Sequence, residues 1–351
     1  MNRRQFLSTI PCLATAHHLL EEADAPGSRI GLCTFSCHQH WKAVGTGQDT
    51  VKFTDALGFY RYARALGAEG VQTPLRVRDA TVAKQMRQLV DETGGYYEGE
   101  LRLPIVASDL PAFEAETKRI LEAGATVARA VFTGGRRYET FKTLDEFRAF
   151  HDQAGRTLAL IEPILRKHRL KIAIENHKDH TTDELVSLMK AISSEWIGVL
   201  VDTGNNIAML EEPHAVIESL APFALSVHLK DMAVQEHKEG FLLSEVPLGT
   251  GMLDLPRMIT TLQKANPSLV FNLEMATRDP LRIPCFNDTF YATFATDYRA
   301  RLLGAAMERV MANPPKQPVP SVAGKPAVLV LAEEETNNRD GLNWMEGHLG
   351  G

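Results

Sequence analysis

The sequence predicts an α/β fold, a (β/α)8 TIM barrel with a C-terminal extension, and three observations carry that prediction. Residues 171–180, KIAIENHKDH, pass from an apolar stretch straight into Glu175, Asn176 and His177, the pattern of a buried strand that delivers a carboxylate to its C-terminal end. Three later stretches repeat the design: GVLVDTGNN presents Asp202, LSVHLKDM presents His228 and Lys230, and LVFNLEM presents Glu274. Strand and helix patterns alternate eight times over about 250 residues, the usual size of such a barrel, whereas a doubly wound sheet rarely needs eight such units.

In chain order, residues 29–37 are a short β-rich run, and 50–66 carry Val51, Phe53, Leu57, Tyr60 and Leu66 at roughly helical spacing. Between them a polar loop, 36–47, places His38, His40 and Trp41 on the face of the strand ends. Residues 69–74 are the second strand, and 79–93 a helix with Val82, Met86, Leu89 and Val90 inward and Asp79 as its N-cap. The third strand is 95–103, followed by a helix over 109–123, the fourth strand over 126–133, a basic loop over 134–138 and a long helix over 143–168. After the fifth strand come a helix to residue 192, the sixth strand over 197–201, a helix over 212–220 and the seventh strand over 224–229. A helix over 254–265 and the eighth strand over 269–273 complete the set. Beyond them, 288–311 reads as one long helix, 313–326 as a Pro-rich linker, and 327–351 as a tail with one short apolar run and no assignable chemistry. The domain reading is therefore a leader over 1–25, a barrel over 29–311, and a linker and tail over 312–351.

The chain has 351 residues, 44% of them hydrophobic and 23% charged, which is ordinary globular material. A net charge of -6, with no basic run of five, gives no long-range attraction for nucleic acid and favours a small neutral or polar substrate. The N-terminus has the Arg3-Arg4-x-Phe6-Leu7 order of a twin-arginine export signal, then a mildly apolar stretch and a small-residue site, Ala23-Asp24-Ala25. The expectation is a periplasmic or secreted protein with no membrane contact once the signal is cleaved. Of four cysteines, Cys12 falls in that leader; Cys33, Cys37 and Cys285 exclude a disulfide framework and read as buried apolar thiols.

Strand ends of a parallel barrel converge on one face, so Glu175, Asp202, His228 and Glu274 can meet around one ion. Three carboxylates and one imidazole suit Mn²⁺, Mg²⁺, Co²⁺ or Fe²⁺ better than a structural zinc. Two carboxylates beside such an ion can take and return a proton at carbon next to a carbonyl, and no Ser or Cys nucleophile has an evident base. Around these four, Lys230 reads as reaching a substrate oxygen or a ligand carboxylate, or as a surface ion pair with Asp231. His177 reads as a site residue or, like His180, as a helix cap or a solvated side chain. Of Glu98 and Glu100, one is expected to enter the barrel mouth and one to face outward, with Arg129, Arg136 or Arg137 as partner of the buried one. Arg136 and Arg137 read equally as substrate ligands or as a solvated loop.

Glu175-Asn-His, Asp202-Thr-Gly-Asn205, His228-x-Lys230-Asp231, Leu248-Gly-x-Gly251-x-x-Asp254 and Glu274, in this order at strand ends, resemble the xylose-isomerase-like barrel superfamily. The resemblance is specifically to its sugar phosphate isomerase/epimerase branch, which includes ketose 3-epimerases, hydroxypyruvate isomerases and inosose dehydratases. The resemblance covers about residues 29–311. It implies that Glu175, Asp202, His228 and Glu274 bind one divalent metal, and that Glu175 and Glu274 act as paired acid and base on either side of a metal-stabilised enediolate.

The chain departs from the epimerases at Asn205 and Val234, where they carry a His and an Arg, so its substrate recognition differs. The superfamily's DNA-repair endonucleases need further His ligands on early strands, and strands two and three here carry none. Gly249-x-Gly251 resembles a phosphate-cradling loop that the family carries without a required phosphate. The expected activity is a divalent-metal-dependent sugar isomerase or epimerase acting on a small carbohydrate, with no nucleic-acid partner and with self-association left open. The alternatives are a lyase or dehydratase on a keto-sugar or keto-glycoside, and a non-catalytic periplasmic sugar-binding barrel.

Overall fold

A computed structural model describes residues 28–47, 50–76 and 79–349. The expected export segment, 1–25, lies outside them. The strands are β1 (Ile30–Cys33), β2 (Gly70–Gln72), β3 (Tyr96–Glu100), β4 (Val127–Ala130), β5 (Lys171–Glu175), β6 (Ile197–Asp202), β7 (Ala224–Leu229), β8 (Asp231–His237), β9 (Gly240–Val246), β10 (Phe271–Leu273) and β11 (Leu281–Ile283). Eight of them close into a parallel barrel in the order β1-β10-β7-β6-β5-β4-β3-β2. This is the expected (β/α)8 fold. Its strands are apolar because helices cover the outer face while side chains fill the interior; β6 is buried along its whole length.

The helices are α1 (His38–Ala43), α2 (Ala56–Ala65), α3 (Ala80–Thr93), α4 (Leu110–Glu122), α5 (Arg137–Thr140), α6 (Leu144–His168), α7 (Thr182–Ile192), α8 (Pro213–Leu220), α9 (Leu255–Ala265), α10 (Tyr298–Ala312) and α11 (Ala327–Leu349). Their starts follow from side chains that satisfy orphan amides. Asp79 accepts from the Thr81 amide at 2.9 Å, as its position before α3 predicts. Thr181 and Glu184 form a reciprocal capping box at α7, so neither His177 nor His180 is the cap.

Three segments differ from the sequence reading. The chain leaves the barrel after Lys230 and forms β8 and β9, an antiparallel hairpin joined by β11 into a separate three-stranded sheet. Met232, Val234, Phe241, Leu243 and Ile283 give this sheet its own apolar cluster, closed by Phe290, Phe294 and Tyr298. The long helix expected over 288–311 is interrupted, since a 3-10 turn at Asp288–Tyr291 precedes α10.

The tail expected to lie outside the barrel is a helix of its wall. α11 packs on β1 and β10. Gly341 permits the approach, because a Cβ there would stand 2.6 Å from Leu273 Cδ2. Glu334, fully buried, accepts from the amides of Gln39 at 2.7 Å and His40 at 3.0 Å and from His40 Nδ1 at 2.7 Å, tying α11 to α1. Cys33, Cys37 and Cys285 are buried free thiols, as expected. Among the described residues no helix is long and apolar enough to cross a membrane.

Candidate metal centre

β5, β6, β7 and β10 bring Glu175, Asp202, His228 and Glu274 together, with one ligand atom of each within 4.8 Å of the others. Register explains the meeting: Asp202 pairs with His228 across β6 and β7, His228 pairs with Asn272 across β7 and β10, and the Glu274 amide bonds the Leu229 carbonyl at 3.0 Å. All four are nearly sealed from solvent, with exposures of 2%, 1%, 1% and 5% in that order.

The ring of His228 is oriented from below. Its Nε2–H donates to Gln72 Oε1 at 2.6 Å, because the Gln72 amide nitrogen is itself committed to Glu98 Oε2 at 2.7 Å. Nδ1 is thereby the free nitrogen, 2.5 Å from Glu274 Oε2. Two atoms of the cluster, His228 Nδ1 and Asp202 Oδ2, are buried with no hydrogen bond of good geometry, although Glu274 Oε2 and the Lys230 ammonium stand 2.5 Å and 2.8 Å from them. Buried polar atoms left in this state inside a ring of carboxylates are those a cation would engage. The residues present therefore fit a hard divalent ion held by three carboxylates and one imidazole.

Cys33 Sγ also lies within reach of His228 and Glu274, a neighbour that sequence reading missed. Burial, with Glu274 adding to it, pushes its thiol far above the usual range, so it stands there protonated rather than as a thiolate.

Cations frame the acids. Arg129 grips Glu175 Oε2 with Nε at 2.6 Å and Nη2 at 2.5 Å, and reaches Glu100 with Nη1 at 3.1 Å. Burial alone would raise the Glu175 carboxyl, but Arg129 and His228 hold it down at about 2. Asn205 Nδ2 donates to the other Glu175 oxygen at 3.0 Å, so Asn205 belongs to the site. Lys230 Nζ lies 2.8 Å from Asp202 Oδ2 and 2.7 Å from Glu274 Oε1. Of its sequence readings, the one realised is contact with ligand carboxylates. Asp231 turns away from Lys230 and accepts from the amides of Gly249 at 3.0 Å, Gly251 at 2.8 Å and Leu253 at 3.2 Å. The glycine loop thus cradles the chain's own carboxylate.

Other expected residues stand elsewhere. Glu98 lies under the site, accepting from Gln72, from Ser226 Oγ at 2.8 Å and from Asn272 Nδ2 at 3.0 Å, so it supports the His228 orientation. Glu98 and Glu100 share the inner face of β3, because residues two apart on a strand point the same way; the expectation that they oppose each other is corrected. Arg136 pairs with Glu139 on the surface. Arg137 is buried between the rings of Phe147 and Phe294, bonded to Glu184 at 2.6 Å and to the Thr293 carbonyl at 2.5 Å. Neither arginine enters the metal centre. His177 does stand beside it, with Nδ1 buried and unpartnered; burial, with Lys178 next to it, lowers its ring to about 4. His180 packs among Phe132, Phe147, Phe150 and His151.

Two basic side chains at the same mouth went unread. Lys178, three residues past Glu175, donates to Asn205 Oδ1. Burial, with Lys230 and Arg278 adding to it, lowers its ammonium to about 8. Arg278, four residues past Glu274, forms a two-pronged ion pair with buried Glu245 of β9, with Nε 3.1 Å from Oε2. Their only sequence signal is their place just beyond strand ends, where barrel sites collect. A cavity of about 900 Å³ opens to one side, lined by Glu100, Arg102, Arg129, Val131 and Phe132 among others.

Barrel and donor set together define an α/β-barrel protein with a candidate mononuclear centre for a divalent ion. Residues 60–289 match the family model described as xylose isomerase-like TIM barrel, and the chain belongs to that family. A 3-oxo-isoapionate decarboxylase of Pectobacterium atrosepticum is 33% identical over 114 residues, which span 32% of this chain and 42% of the decarboxylase. A D-psicose 3-epimerase, solved in the presence of D-fructose, superposes with a TM-score of 0.57 at 12% identity over 92% of this chain and all of the other. A xylose isomerase domain protein from Planctomyces limnophilus does so at 0.53 and 14% identity over 82% and 99%. At these identities the two structures share the fold with this chain.

Proposed function

We propose that the protein is a divalent-metal-dependent enzyme that isomerises or epimerises a small keto-sugar through an enediolate. The observation that carries this reading is the convergence of Glu175 and Glu274, from β5 and β10, on one buried centre with Asp202 and His228. A divalent ion held by these four supplies Lewis-acid stabilisation of the oxygens of an enediolate, a contribution of several kcal/mol in such chemistry. The chain's own part is proton transfer. One glutamate takes the proton from carbon next to the carbonyl and the other returns one, while Arg129 and Lys230 stay cationic beside them. Asn205 and His177 are the substrate-facing polar groups. The paired glutamates argue against a barrel that only binds sugar.

A lyase reading has its own support. The two-pronged hold of Arg129 makes Glu175 a weak base, and the partly matching relative is named a decarboxylase. Loss of a carboxyl group leaves its electron pair in the same enediolate, and one returned proton completes the reaction without abstraction by Glu175.

The test is turnover of keto-sugars and oxo sugar acids by manganese-loaded protein in D₂O, read by NMR. Deuterium at carbon next to the carbonyl, lost in Glu274→Gln, supports the proposal; release of CO₂ selects the lyase reading; hydrolysis without exchange rejects the enediolate. On Arg3-Arg4-x-Phe6-Leu7 we also propose twin-arginine export. Replacing both arginines by lysine is expected to abolish periplasmic yield, and unchanged yield would contradict it.

A further inference from the structure

We propose that the substrate carries a single carboxylate and that Lys178 receives it, so that the site is built for an oxo sugar acid rather than a neutral sugar. This rests on the metal-dependent reading above and names the substrate class of the same site.

The argument is one of buried charge. A buried ion is costly unless paired, so each cation at the mouth should have an identifiable partner. Arg129 has Glu175 and Glu100, Arg278 has Glu245, and Lys230 has Asp202 and Glu274. Lys178 is 5% exposed and, among the described residues, has no carboxylate partner; its ammonium donates to Asn205 Oδ1, leaving two N–H groups without an acceptor. The balance holds with the ion bound as well. A divalent ion and Lys230 offset the three ligand carboxylates, Glu100 and Glu245 offset Arg129 and Arg278, and buried Asp179 is turned to His180, accepting from its amide at 2.7 Å, so Lys178 is left with no carboxylate in contact. A substrate carboxylate supplies one.

Geometry agrees. The Lys178 and Lys230 ammonium groups share the Asn205 amide oxygen, at 3.3 Å from Lys230, so a group bonded to Lys178 lies beside the ligands Asp202 and Glu274. The Lys178 carbonyl accepts from the Arg137 amide at 2.7 Å, which fixes the loop that carries the lysine. The glycine loop is filled by Asp231, so its amides are not open to the charged end of a substrate.

The test uses manganese-loaded full-length protein and two ligands that differ only at one terminus, 5-keto-D-gluconate with a carboxylate and L-sorbose with a hydroxymethyl group. Calorimetric titration is expected to show the keto-acid bound about tenfold or more tighter, as a charge-assisted hydrogen bond implies. Lys178→Gln is expected to erase that preference, the ratio of the two affinities falling to about one. Equal affinities in the wild type, binding of neither ligand, or a preference that survives in Lys178→Gln would overturn the proposal. Metal content of the same sample separates the two readings: a metal-loaded protein without the preference refutes the carboxylate subsite alone, and a protein that takes up no metal refutes the proposed function.

Discussion

His228 donates from Nε2 to the side-chain oxygen of Gln72 at 2.6 Å, which leaves Nδ1 to face Glu274 and Glu175. The tautomer at the centre is thus set from β2, on the opposite side of the barrel interior from the ligands' own strands. Partners that orient a ligand histidine contribute to affinity without touching the ion. Gln72→Leu is expected to weaken manganese binding about 10- to 100-fold with the fold retained. Competition against a fluorescent chelator, with circular dichroism as control, measures this.

Glu211 gives the fold a pH dependence away from the centre. Burial raises its carboxyl from the ordinary range to about 7, against hydrogen bonds from Asn206 and the Thr182 amide. A carboxyl raised in the folded state favours folding while it is protonated, so its contribution is full below about 4.5 and is lost as pH rises through about 7. Chemical denaturation across that interval is expected to show a loss of about 3 kcal/mol. Glu211→Gln should flatten this slope.

The tail helix should behave as part of the barrel. Glu334→Ala strips the acceptor from His40 Nδ1 and from the Gln39 and His40 amides, all at a buried position. Breaking such a buried pair typically costs about 3 kcal/mol or more. A thermal melt of Glu334→Ala is expected to fall by several degrees, whereas Glu333→Ala, with its exposed lysine pair, should melt like the wild type.

The barrel strands and the four residues that meet at the candidate centre were legible because a strand buried on both faces is apolar along its length and a polar residue at its end stands out, as Glu175 after KIAI does. α11 was illegible for the converse reason: its buried face, Val330, Glu334, Asn338, Gly341, Met345 and Leu349, has helical spacing, but two members are polar and are satisfied only by residues about 300 positions away. The β8–β9 hairpin was hidden because a single residue, Lys230, separates β7 from β8, so the alternation runs on past the barrel. Lys178, Arg278 and Arg136 sit in loops and Arg137 opens the four-residue α5, too short for a periodicity that states which way a side chain points. The first two turned out to face the centre's cations and acids, and Arg137 an aromatic clamp. Glu98, expected at the barrel mouth or facing outward, lies inside the barrel beneath the site, because pattern gives the face of a strand but not the layer of the barrel.

The central claim is that Glu175, Asp202, His228 and Glu274 form one metal centre, and an anomalous-difference map from crystals grown with manganese tests it most directly. The account expects a single peak per chain bonded to the three carboxylates and to His228 Nδ1, absent in crystals of Glu274→Gln grown the same way. No peak among these residues, three separate ions, or an ion bonded to His228 through Nε2 would contradict it.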